Sequence, residues 1–79
     1  ANVAHLSSCG SLAGQRHIHR QVEQICLDCD NLYRQSRAGY NCRQSCYANP
    51  HFELCVHDLL LSHRVMEFRL LISMLQASL

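Results

Sequence analysis

Six cysteines in 79 residues constrain this chain more than any other feature. A chain of this length forms one domain at most, and a core of that size supplies only ~3–5 kcal/mol of stability. Trp is absent and the aromatics are Tyr33, Tyr40, Tyr47, Phe52 and Phe68 alone, so covalent bridges or a metal must supplement the core. The stretch "CLDCDNLYRQ", residues 26–35, places two cysteines three apart on a helical pattern and poses three options: zinc, redox chemistry or structural disulfides.

The spacing Cys26-x2-Cys29-x12-Cys42-x3-Cys46 suits a four-cysteine zinc site, because two close pairs can converge as a tetrahedral thiolate cage. Against zinc, Cys9 and Cys55 would remain as free thiols, and both pairs fall on helix-patterned sequence instead of turns or ribbons. A redox Cys-x-x-Cys opens a helix that follows a strand, where the dipole lowers the thiol pKa. Here the pair falls in the third turn, with no strand before it. The even count fits three disulfides in an oxidising compartment, each contributing ~2–4 kcal/mol by restricting the unfolded chain. Sequence logic alone leaves about 15 connectivities. Cys26 and Cys29 on one helical face and Cys42 and Cys46 on another favour bridges between helices.

Apolar positions Ile18, Val22, Ile25, Cys26, Cys29, Leu32 and Tyr33 step by three and four, the mark of one helical face. Gly14 reads as the turn at its entrance and residues 35–39 as the loop that closes it. Asn41 is placed to cap a short helix carrying Cys42 and Cys46, four apart on one face. Asn49 before Pro50 reads as an N-cap, with Phe52, Cys55, Val56, Leu59 and Leu60 at helical spacing behind it. From Arg64 to Leu79, Val65, Phe68, Ile72 and Leu75 form one stripe, and Met66, Leu70 and Met74 a second. The second stripe is either ordinary exposed apolar surface or a partner-binding face. No strong breaker lies between Ser62 and Arg64, so this helix reads as either separate from the preceding one or continuous with it; no strand-like alternation occurs, and the fold is expected to be all-α.

The formal net charge is +1, with no basic block to track a phosphate backbone, so nucleic acid is not an expected partner. The apolar runs fall far short of the ~20 residues a bilayer requires, so no membrane insertion is expected. There is no lysine and no adjacent basic pair, so an enzyme cutting at dibasic sites would leave the chain whole, as for a processed peptide. The start "ANVAHLSSCG" has neither the basic flank nor the apolar stretch of a signal peptide, which a mature secreted chain would have lost. The six histidines show no i, i+4 metal pair and read as solvated, and no phosphate loop, nucleophile elbow or buried carboxylate pair points to an enzyme or a cofactor.

The full pattern Cys9-x16-Cys26-x2-Cys29-x12-Cys42-x3-Cys46-x8-Cys55, with "CLDCDNLYR", "CRQSCYAN" and Phe52 three before the last cysteine, resembles the crustacean hyperglycaemic hormone family of arthropod neuropeptides. That resemblance implies bridges Cys9–Cys46, Cys26–Cys42 and Cys29–Cys55 and a small disulfide-stapled bundle of four to five helices. The resemblance covers Cys9 to the C-terminus and implies a secreted, extracellular neurohormone acting on a membrane receptor of target cells; the chain is expected to be one domain over residues 1–79, with 1–8 as a flexible segment, and a monomer.

Gly14, five after the first cysteine, and the tail "EFRLLISMLQA" are similar to the moult- and gonad-inhibiting branch, whereas "DLLLS" at Asp58 to Ser62 is typical of the hyperglycaemic and ion-transport branch. In "GQRHIH", Gln15, His17 and His19 replace that inhibiting branch's Asn, Asp and Tyr, and Met74 replaces an Ile beside Ser73. The resemblance therefore points to a regulator of vitellogenesis or the gonad, or of moulting, with Gly14, Gln15, Leu70, Ser73 and Met74 as the expected receptor contact. Alternatives are a hyperglycaemic or ion-transport hormone, a venom toxin on the same scaffold, and a four-cysteine zinc module.

Overall fold

The computed structural model describes Cys9, residues 14–34 and residues 36–76. In chain order it contains α1 (Arg16–Leu32), α2 (Ala38–Arg43), α3 (Pro50–Asp58), a 3-10 turn (Ser62–Arg64) and α4 (Val65–Gln76), with no strand among the described residues. The fold is all-α, as the periodicity requires. Residues 1–8, expected as a flexible segment, lie outside the described residues, as do Gln35 and residues 77–79.

α1 forms because no Gly or Pro interrupts a 3.6-residue apolar repeat, and it buries Ile18, Val22, Ile25, Cys26 and Cys29. Gly14, at φ 88°, turns the chain into it. Leu32 and Tyr33, expected on the same face, are exposed, because the helix ends at the core's edge as Tyr33 leaves helical geometry. The Tyr33 hydroxyl instead donates to Asp58 Oδ2 at 2.8 Å.

The short helix departs from expectation at both ends. It starts at Ala38, so Asn41 lies inside it and Gly39 belongs to the helix instead of the loop. Its orphan amides find partners that local sequence does not advertise. Ala38 N donates to Ser36 Oγ at 3.2 Å, and Gly39 N donates to Asp30 Oδ1 of α1 at 2.8 Å. A Cβ on Gly39 would overlap the Asp30 carboxylate, so glycine is what lets α2 lie this close. Cys46 falls beyond the helix, where Ser45, Cys46 and Tyr47 all take left-handed backbone at φ 56°, 53° and 69°.

Asn49 caps α3 as expected: Phe52 N donates to its Oδ1 at 3.1 Å, and Pro50 fills the first turn. Its Nδ2 also donates to the carbonyls of Cys42 at 2.9 Å and Gln44 at 2.7 Å, which ties the cap to the end of α2. α3 stops sooner than the apolar pattern suggests. Leu59 is its C-cap, and Leu60, at φ 63°, turns the chain out into solvent with 84% of its surface exposed. Leu60 N donates to His57 O at 3.0 Å and Leu61 N to Val56 O at 2.9 Å, the paired bonds of a Schellman stop. That stop and the 3-10 turn separate α3 from α4.

The core gathers Val22, Phe52, Val56, Phe68 and Leu75 around the cystines. Edge-to-face contacts run from His19 to Tyr47, Tyr47 to Phe52 and Phe52 to Phe68, with centroids 5.6, 6.0 and 5.7 Å apart. The ladder links α1, the left-handed turn, α3 and α4, and each pair adds ~0.5–1.5 kcal/mol beyond area burial. Disulfides join Cys26 to Cys42 (α1 to α2), Cys29 to Cys55 (α1 to α3) and Cys9 to Cys46, which fastens the chain before α1 to the turn after α2. Every cysteine is thereby consumed, which overturns the zinc-module alternative, since a thiolate cage needs reduced thiols.

Candidate receptor-facing site

The five residues singled out from sequence lie on two elements far apart in the chain. Gly14 is exposed, and its left-handed turn delivers Gln15 to the side of α4. There the Gln15 side-chain amide donates to the Met74 carbonyl at 3.1 Å, across 59 residues. The bond uses the Met74 main chain, so its side chain stays free to face outward. The Gln15 Oε1 is buried without a hydrogen-bond partner.

On α4, Phe68, Ile72 and Leu75 point into the core, while Met66, Leu70 and Met74, spaced by four, form an exposed apolar ridge. Ser73 is also exposed but is turned about 100° from Met74 by the helical step. It lines a cleft of about 520 Å³ with Asn49, Pro50, Glu53, Arg69 and Ile72. At the cleft, Arg69 grips Glu53 through two bonds, Nε to Oε2 at 2.7 Å and Nη2 to Oε1 at 2.9 Å. This hydrogen-bonded pairing holds the Glu53 carboxyl below the usual carboxylate range. The structure thus joins Gln15 to Met74 directly, with Gly14 beside Gln15, Leu70 on the Met74 ridge and Ser73 on the neighbouring face of the helix.

Sequence reasoning missed a second polar cluster beside the left-handed turn. Tyr47, buried, donates its hydroxyl to Glu23 Oε1 at 2.6 Å and lies 3.0 Å from His19 Nε2. His19 is therefore half-buried and engaged, unlike the solvated residue expected, because the Cys26–Cys42 bridge draws the end of α2 against this part of α1. Arg43 Nε bridges both Glu23 oxygens at 3.1 and 2.9 Å, and its Nη2 reaches Asp30 Oδ2 at 3.5 Å. Burial, then the Glu23 bond, pushes the Tyr47 phenol far above its ordinary value. The cluster holds the turn against α1. The signal available in sequence was Arg43 directly after Cys42, in a chain whose neighbouring helix carries Glu23 one turn before Cys26.

A sequence model of the Crustacean CHH/MIH/GIH neurohormone family matches residues 8–73. A protein of Jasus lalandii named "Probable molt-inhibiting hormone" is 39% identical over 69 residues, covering 87% of this chain and 93% of its own. The "Vitellogenesis-inhibiting hormone" of Armadillidium vulgare is 30% identical over 71 residues, covering 90% and 86%. The "Crustacean hyperglycemic hormone" of Procambarus bouvieri is 45% identical over 53 residues, covering 67% and 74%. No solved structure matches the chain significantly.

Proposed function

The chain belongs to the crustacean CHH/MIH/GIH neurohormone family and is a neuropeptide hormone; from that premise we propose that it regulates reproduction, through vitellogenesis or the gonad, or moulting. It is secreted and acts as a monomer on a membrane receptor of target cells. Its contact surface comprises the Gly14–Gln15 turn with Leu70, Ser73 and Met74 of α4.

The observation that supports this surface is the Gln15–Met74 hydrogen bond, which ties together two segments 59 residues apart. A rigid, cross-linked ligand loses little conformational entropy on docking, and exposed apolar side chains on such a frame supply the desolvation that drives binding. The hyperglycaemic reading draws support from the Procambarus bouvieri relative and from "DLLLS" at Asp58 to Ser62.

The test applies the oxidised protein to explants of vitellogenin-producing tissue and of the moulting gland, with circulating glucose followed in parallel in injected animals. A change in vitellogenin or moulting-steroid output is the expected result. A rise in glucose with both outputs unmoved would replace this reading with the hyperglycaemic one.

A further inference from the structure

The three disulfides occupy different environments. Cys26, Cys29 and Cys42 are completely buried and Cys55 nearly so, whereas Cys9 is half-buried at the margin of the core. Its partner Cys46 is the middle residue of three consecutive left-handed positions, a backbone that side-chain-bearing residues adopt only when held there. A cleft of about 410 Å³, lined by both cysteines with His19, Arg43, Ser45 and Tyr47, opens onto this bridge. Exposed or strained disulfides are the ones that thiols reduce most readily.

We infer that the Cys9–Cys46 bridge is a redox modification site, opened by a dithiol reductant while the other two bridges and the helices persist. One thiolate of the dithiol attacks Sγ of Cys9, the more exposed residue of the pair, forming a mixed disulfide as Cys46 leaves as a thiolate. The second thiolate then attacks the reductant's own sulfur and releases Cys9. Two electrons pass to the protein, the reductant closes into a disulfide, and its two protons end on Cys9 and Cys46.

The rest of the fold stands without this bond. The turn remains clamped by Gln76 Nε2 on the carbonyls of Ser45 and Cys46, by Asn49 on that of Gln44, and by the Tyr47 hydroxyl on Glu23. α1, α2 and α3 remain joined by the two buried cystines. Cys9 lies five residues before Gly14, so on the receptor surface proposed above, opening the bridge lowers potency by removing the covalent tether nearest that turn. The labelling experiment below reads the bridge itself and is independent of that surface.

The experiment titrates the native protein with dithiothreitol at neutral pH, quenches with iodoacetamide, and maps the label by mass while circular dichroism follows helicity. Cys9 and Cys46 should be labelled at least about tenfold faster than the other four, with helicity unchanged. Equal or earlier labelling of Cys26, Cys29, Cys42 or Cys55, or loss of helicity in the first step, would overturn the proposal. A Cys9→Ser/Cys46→Ser variant gives a second reading: native-like helicity with two intact bridges is expected, and an unfolded variant would also overturn it.

Discussion

Gln76, in the last turn of α4, donates its side-chain amide to the carbonyl of Cys46 at 3.2 Å and to that of Ser45 at 3.0 Å. The C-terminal helix thereby fastens the longest run of left-handed backbone among the described residues. Each left-handed residue bearing a side chain costs roughly 1–2 kcal/mol, so three in succession require outside support. Replacing Gln76 with Ala should cost ~0.5–1.5 kcal/mol and lower Tm by several degrees in a thermal melt. An unchanged Tm would mean that Asn49, the Tyr47–Glu23 bond and the Cys9–Cys46 bridge hold the turn without it.

Leu60 occupies the position after the C-cap of α3, where glycine is the usual residue, at φ 63° and almost fully in solvent. Its side chain carries the left-handed penalty without burial to offset it. Leu60→Gly should therefore stabilise the protein by ~0.5–1 kcal/mol, after allowing for glycine's greater entropy when unfolded. Gly14 is the converse case: at φ 88° with open space around it, Gly14→Ala should cost about 1–2 kcal/mol through backbone strain alone. Chemical denaturation of both variants with the disulfides intact checks the opposite signs.

Stability should fall at both ends of the pH scale for separate reasons. The Arg69 hydrogen bond lowers the Glu53 carboxyl and the Arg64 hydrogen bond lowers that of Glu67, so both bind protons less readily folded than unfolded. Their contribution is present above the ordinary carboxylate range and is lost as pH falls through the lower folded values. Both pairs are largely exposed, so this acid effect is small and shrinks in salt. Tyr47 is raised by burial and by Glu23, and Tyr33 by the Asp58 hydrogen bond. Stability from these phenols is whole below their unfolded value of about 10 and is lost as pH rises above it. Urea midpoints across pH should decline above that value in the native protein and less steeply in Tyr47→Phe. Parallel declines would remove Tyr47 from the account.

Legibility in the sequence followed the range of the interactions. α1, the Asn49 cap and the core stripe of α4 could be read because spacing and capping are local, and Ile18, Val22, Phe68 and Ile72 are buried as their periodicity requires. The start of α2 could not, because Asp30, nine residues earlier on another helix, supplies the acceptor for Gly39. The left-handed turn carries Ser-Cys-Tyr, with none of the glycine or asparagine that signals such backbone. His19 gave no sign of its tie to Tyr47, which exists only once the bridges set α2 against α1. The candidate site was legible as a set of residues through family resemblance, but the Gln15–Met74 bond that unites it spans 59 positions and leaves no periodic trace.

Disrupting that bond separates stability from recognition. Gln15→Ala removes the link between the turn and α4 and should lower potency while Tm falls by only a few degrees, as expected for one hydrogen bond worth ~1 kcal/mol. A large loss of stability without loss of potency at a temperature where the variant is folded would mark Gln15 as purely structural.

The most direct test of the receptor surface is the dose–response of Ser73→Ala and Met74→Ala on the responsive tissue, each variant first matched to the native protein in disulfide content and Tm. Both side chains are exposed and neither substitution removes the Met74 carbonyl, so folding should be preserved. Potency should drop by about tenfold or more for at least one variant, equivalent to ~1.4 kcal/mol of lost binding. Full potency in both, at unchanged stability, would contradict it and place the hormone's contact surface elsewhere.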